Sequence, residues 1–168
     1  GFVLARYHFV ARMLHGLEKV LEIGCGDCTG ARIVANVVNE WHGTDNNPTL
    51  VNGAPNTTIG DITKEPPGDF QEYDAVYALD VLEHIQPLHE QRTMKNIVFS
   101  LHDQGVCIIG MPSRESQAYA SPLSLVGHVN CKTEDELRRT MRRCFHNVFL
   151  FGMNDGTLHT GYGPMCHY

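Results

Sequence analysis

The stretch Val20-Leu21-Glu22-Ile23-Gly24-Cys25-Gly26-Asp27-Cys28-Thr29-Gly30 restricts the fold of this chain more than any other. The run from Lys19 to Ile23 is largely apolar and β-branched at Val20 and Ile23, as a buried strand of a parallel sheet would be. Gly24 and Gly26 let the chain turn sharply and bring bare backbone against a ligand, because a Cβ would restrict φ and block close approach. Gly30, Val34, Val37 and Val38 follow at helical spacing. The loop is therefore expected at a helix N-terminus, whose free N–H groups favour electronegative ligand atoms.

A length of 168 residues fits a single domain spanning 1–168, with enough chain to bury a real core. A helix already under way at Gly1 and a last strand running to the chain end read as a sequence trimmed at both ends. No apolar run approaches the roughly 20 residues needed to span a membrane, and no signal peptide is evident. The formal charge of −6, from 13 Lys plus Arg against 19 Asp plus Glu, gives no general attraction for a phosphate backbone, so a nucleic-acid substrate is disfavoured. Arg138, Arg139, Arg142 and Arg143 cluster within one helix and read as a solvated face. Six cysteines without framework spacing read as reduced thiols in a cytoplasmic protein. Cys25-x-x-Cys28 has no second Cys-x-x-Cys or His-x-His pair to complete a zinc site, and no metal ligand set is assigned.

Further units follow in order. Residues 2–15 predict a helix with Phe2, Ala5, Phe9 and Met13 on one stripe, broadened by Val3, Val10 and Leu14, and ended by Gly16. Trp41 to Asp45 is a short second strand ending in an acid, where a carboxylate can accept from two ribose hydroxyls; an Asx turn into Asn46-Asn47-Pro48 is the other role open to Asp45. Asn56 to Ile62 is a brief third strand ending in Gly60-Asp61-Ile62. Tyr73 to Leu79 is a fourth, running into Asp80-Val81-Leu82-Glu83-His84-Ile85. Pro87 opens a helix that buries Met94, Ile97, Val98 and Leu101, and His102-Asp103-Gln104-Gly105 stops it. Val106 to Met111 is a fifth strand, apolar enough for a sheet centre. The weakly periodic residues 113–130, with His128, read as a cover over a substrate beyond the strand ends. Thr133-Glu134-Asp135-Glu136 is a capping box for a helix with Leu137, Met141, Cys144 and Phe145 inward. Asn147 to Met153 and a segment from about Thr160 to Tyr168 read as two strands joined at Asn154-Asp155-Gly156.

Apolar-Glu22-Ile23-Gly24-x-Gly26-x-x-x-Gly30, the acids Asp45 and Asp61, and Asp80-x-x-Glu83-His84-Ile85 stand in the order that resembles the class I S-adenosylmethionine-dependent methyltransferases, of the small-molecule, ubiquinone-biosynthesis-like type. Arg6-Tyr7-His8-Phe9 resembles the stretch that precedes their first motif. The resemblance covers nearly the whole chain. It implies an α/β fold: a Rossmann-like, seven-stranded, mostly parallel sheet with a C-terminal antiparallel hairpin and helices on both faces. It implies S-adenosylmethionine as cofactor, S-adenosylhomocysteine as product, and in-line methyl transfer to a small-molecule acceptor. The matching cofactor positions are Tyr7, Glu22, Gly24, Cys25, Gly26, Asp45, Asn46, Asp61, Ile62 and Leu79. Asp61 would accept from the adenine amino group, Ile62 would pack on the ring, and the Leu79 carbonyl would accept from the α-amino group. His84 first and His128 second are candidate bases, with Asp80 as orienter. Two alternatives stay open: a catalytically inactive S-adenosylmethionine-binding partner subunit, and an NAD-dependent reductase, against which the glycine spacing and the lack of a Tyr-x-x-x-Lys pair speak. The fourth strand has no Asn/Asp-Pro-Pro-Tyr/Phe motif of the kind found in adenine and cytosine methyltransferases. The acceptor and the oligomeric state are left undetermined.

Overall fold

The structure, a computed structural model, describes residues 2–51, 53–154 and 157–160. In chain order it contains α1 (Phe2–Met13), β1 (Lys19–Ile23), α2 (Ala31–Ala35), β2 (Glu40–Asp45), β3 (Thr57–Ile59), β4 (Tyr73–Leu79), α3 (Pro87–Ser100), β5 (Leu101–Gly110), α4 (Pro122–Gly127), α5 (Glu134–Arg142), β6 (Phe151–Asn154) and β7 (Thr157–Thr160). Single 3-10 turns occupy Leu82–His84 and Glu115–Tyr119. The first five strands form one parallel sheet of order β3-β2-β1-β4-β5.

Alternation along the two central strands divides the interior. Val20, Ala75 and Tyr77 pack with Val10, Ala11 and Leu14 of the α1 region and Ala31 and Val34 of α2. Leu21, Ile23, Val76 and Ala78 pack on the opposite face with Met94 and Ile97 of α3 and Met141 of α5. Each such aliphatic side chain contributes about 1.5–3 kcal/mol when fully buried, so two-sided coverage of β1 and β4 is the main source of stability. Helices on both faces are thus present. Among the described residues, none of the helices lies in the connections 46–56 and 60–72, and a cleft of about 590 Å³ opens there, lined by His42, Asn56, Thr58, Gly60, Pro67 and Tyr73.

Several expectations are corrected. The buried stripe of α1 runs through Val10, Ala11 and Leu14 with Tyr7 beside it, whereas Val3 and Met13 are about half exposed; the Tyr7 hydroxyl bond to Glu22 sets the helix's rotation. α2 stops at Ala35, because Asn36, Val37, Val38 and Asn39 are poor helix formers and Asn39 N–H turns back to the Leu17 carbonyl. Val98 of α3 faces outward, and Leu101 already belongs to β5.

β5 is an edge of the described sheet, not its centre. Its Val106–Gly110 portion pairs with Ala75–Leu79, and the register shifts across residues 102–105, where the helix stop was expected. Among the described residues the parallel sheet has five strands, where seven were expected. β6 and β7 satisfy each other's hydrogen bonds as a separate antiparallel ribbon. The Phe151 ring at its start lies 5.4 Å from that of Phe9 on α1. The second closing strand was expected over about 160–168; residues 161–168 lie outside the described residues. Among the described residues, no helix is long and apolar enough to cross a membrane.

Candidate functional site at the carboxyl ends of the strands

β1, β2 and β4 all end at one edge of the sheet, and the side chains picked out in the sequence gather there because a parallel sheet points every strand's carboxyl end the same way. Gly24 leaves β1 with φ +74°, and its N–H bonds the Thr44 carbonyl of β2 at 2.8 Å. A Cβ there would stand 2.3 Å from Val81 Cγ2, so only glycine lets the turns after β1 and β4 touch. Gly26, at φ +53°, meets open space where its Cβ would be. Bare backbone is exposed at that point.

Beneath this loop lies Glu22, 1% exposed. Its two oxygens accept from the Tyr7 hydroxyl at 2.6 Å and the Tyr77 hydroxyl at 2.7 Å. Trp41 Nε1–H donates to the Tyr77 oxygen at 3.0 Å, completing a buried chain. Burial pushes the Glu22 carboxyl up to about 7 against the opposing pull of its two phenol donors. Burial and then the Glu22 charge also push both phenols up, keeping them as donors. Tyr77 and Trp41 had no assigned role; a polar-tipped aromatic in the middle of an apolar strand was the available signal. Burial likewise pushes the thiols of Cys25 and Cys28 up.

Asp45 closes β2 and reaches across to the glycine loop. Gly26 N–H donates to its Oδ2 at 2.9 Å and Asn47 N–H to its Oδ1 at 2.8 Å. The Asx-turn role and the tie to the glycine loop therefore coexist. A carboxylate offers about four acceptor sites, which leaves room for two hydroxyl donors. Asn46 beside it is exposed.

Asp61 sits differently: its oxygens accept from Thr63 N–H at 3.0 Å, Thr63 Oγ1 at 2.6 Å and Lys64 Nζ at 2.9 Å. Those bonds, Thr63's first, hold its carboxyl down to about 2. The Ile62 side chain points into the core beside α3, where its carbonyl accepts from Asn96 Nδ2 at 2.7 Å. Ile62 is 9% exposed.

Leu79 ends β4 and pairs with Gly110 of β5. Asp80 follows at φ +57°, an uncommon conformation for a side-chain-bearing residue that aspartate tolerates better than most. Its N–H bonds the Gly110 carbonyl at 2.8 Å, and its Oδ1 accepts from Arg6 Nη1 of α1. His84 and His128, distant in sequence, meet here with ring centroids 5.0 Å apart. Residues 113–130 loop outward and return along β4's end, where Asn130 N–H bonds the Glu83 carbonyl at 3.0 Å. Glu83 is fully buried, and burial pushes its carboxyl up to about 7.

A family model described as a methyltransferase domain matches residues 3–144. No curated protein matches the chain in sequence. Among solved structures, an S-adenosylmethionine-dependent methyltransferase from Archaeoglobus fulgidus is 18% identical, with a TM-score of 0.71 over 89% of this chain and 70% of that one. A TehB-like S-adenosylmethionine-dependent methyltransferase from Corynebacterium glutamicum is 16% identical, with a TM-score of 0.64 over 90% and 74%. The N-methyltransferase NodS from Bradyrhizobium japonicum is 14% identical, with a TM-score of 0.68 over 92% and 88%. At these identities the likeness is one of fold.

Proposed function

The chain belongs to the methyltransferase domain family, and on that premise we propose that it transfers a methyl group from S-adenosylmethionine to a small-molecule acceptor. The observation that carries this reading is the carboxylate of Asp45, oriented by Gly26 N–H at the end of β2 and still able to accept two hydroxyl hydrogens. The open backbone face at Gly26 fits a ligand that approaches the main chain closely.

In this reading Gly24, Cys25 and Gly26 form the cradle floor, and Glu22 with Tyr7 fixes its shape from below. Asp45 takes the ribose hydroxyls, with Asn46 at the rim. Asp61 and the Ile62 backbone take the adenine edge; the Asp61 oxygens share that task with Thr63 and Lys64. The Leu79 carbonyl takes the α-amino group. The cofactor supplies a methyl group already activated on a sulfonium sulfur. The protein's work is then alignment, worth up to roughly 7–11 kcal/mol in well-oriented systems. Asp80, held by Arg6, orients the acceptor side, and His84 and His128 engage the acceptor's polar atom and receive its proton when it carries one. The five described cysteines are all unpaired, which supports a reducing compartment such as the cytoplasm.

The test is calorimetric titration with S-adenosylhomocysteine, and separately with NAD, of the wild type and of Asp45→Ala. Binding of the first alone, weakened by about 2 kcal/mol in the variant through loss of a charged acceptor, is the expected result. Failure to bind S-adenosylhomocysteine sinks the reading, and heat with NAD instead would favour a reductase.

A further inference from the structure

Glu83 has no part in the cradle described above, yet it occupies one of the least favourable settings in the fold. It is 0% exposed, and neither carboxylate oxygen has a hydrogen-bond partner on another described residue. A charged, buried carboxylate without a partner group costs several kcal/mol, so such a group either takes up a proton or meets a ligand that answers its charge.

Ligand atoms of Glu83, His84 and His128 all lie within 4.8 Å of one another. Their backbones are brought together by construction: Glu83 and His84 share the 3-10 turn after β4, His128 caps α4, and the Asn130 bond to the Glu83 carbonyl closes the gap. Both imidazoles are also oriented. His84 Nδ1 lies 3.0 Å from the Gly127 carbonyl oxygen, and His128 Nδ1 lies 2.9 Å from Gln117 Oε1. Each partner atom only accepts, so each Nδ1 carries the hydrogen, and in the neutral ring Nε2 is the nitrogen left to bind an ion. Imidazoles that bind metals are held in the same way, the second nitrogen donating to a carbonyl or carboxylate.

We propose that Glu83, His84 and His128 form a divalent-cation site of two imidazoles and one carboxylate, suited to an ion such as Mn²⁺, Fe²⁺ or Zn²⁺ with coordination positions left open. Bonds of about 2.0–2.2 Å put neighbouring ligand atoms roughly 3–3.5 Å apart, so side-chain adjustments of about an ångström complete the set. The ion would give the Glu83 oxygens a direct partner, adding to the attraction of Arg6 that already acts on this carboxylate. Its use rests on the methyl-transfer reading: open positions beside Asp80 would take the hydroxyl of an oxygen acceptor and a neighbouring oxygen. The bound hydroxyl releases its proton to solvent more readily, and its oxygen forms the new bond to the methyl carbon as the carbon–sulfur bond breaks with its electron pair passing to sulfur. The two histidines are then ligands, and the ion takes over the acid-lowering task.

The test is titration of the whole protein with Mn²⁺, without S-adenosylhomocysteine, followed by the loss of the free-ion paramagnetic resonance signal. One ion per chain is expected, with affinity lowered at least about tenfold in each of Glu83→Gln, His84→Ala and His128→Ala. His128 is only partly buried, so its variant carries the test if a substitution at Glu83 prevents folding. Absence of binding at roughly millimolar Mn²⁺ and Zn²⁺, or binding unchanged in folded variants, overturns the site. Titration of the same preparations with S-adenosylhomocysteine separates the two ideas. If it binds and the ions do not, the cation site falls alone; if the ions bind and it does not, the cation site stands and methyl transfer falls.

Discussion

Glu22 stands in β1 where an apolar side chain would be the less costly choice, and two phenols come from separate elements to hold it. Its carboxyl is pushed up to about 7 by burial, so the folded state binds this proton more tightly than the unfolded chain does. The contribution to stability is therefore full below the ordinary carboxyl range and is lost as pH rises through about 7. A shift of that size is on the order of 3 kcal/mol. Urea unfolding should accordingly give a lower free energy at pH 8.5 than at pH 5, and Glu22→Gln should remove part of that fall. Glu83 has the same sign, so some slope remains in the variant. An unaltered slope in Glu22→Gln would mean that Glu22 ionises in the fold without penalty. The glutamate was visible in the sequence as an acid inside an apolar run; its partners Tyr77 and Trp41 were not, because nothing local marks which strand neighbour a hydroxyl will reach.

At the level of elements, α1 and α2 meet through one small residue. A Cβ on Gly30 would stand 2.2 Å from Tyr7 Cε2, so the third glycine of the loop makes room for the ring that reaches Glu22. Gly30→Ala should cost about 1–3 kcal/mol by overpacking, measured by chemical denaturation. The same substitution in a Tyr7→Ala background should cost almost nothing, and an equal cost in both backgrounds would refute the steric account. Elements with strong local signals were legible: β1, β2, β4, the Pro87 start of α3, and the Thr133–Glu136 box that caps α5 with reciprocal bonds of 2.9 and 3.3 Å. Boundaries set by tertiary contact were not. The rotation of α1 and the early end of α2 depend on Tyr7 reaching Glu22 and on Asn39 turning back to Leu17.

Across the whole molecule, one buried tie joins the long return segment to the helical layer. Lys132 Nζ lies 2.6 Å from Glu90 Oε2 on α3, and Glu90 also accepts from Asn130 Nδ2 and from Thr140 Oγ1 of α5. Both charged side chains are mostly buried, at 10% and 14% exposure. Lys132→Ala leaves Glu90's charge inside without its cation, and should destabilise the fold by roughly 3–5 kcal/mol in thermal or chemical unfolding. It should also disturb the approach of His128 to His84, since the same segment carries both features. The sequence by itself determined the parallel strands, the glycine turn, the acid at the end of β2 and the family, because each is written in spacing over a few residues. Only the tertiary structure decided that β6 and β7 pair apart from the main sheet, that Ile62 faces the core, and that Glu83, His84 and His128 converge. Those outcomes turn on which surfaces meet across more than forty residues of chain, and no local pattern encodes that choice.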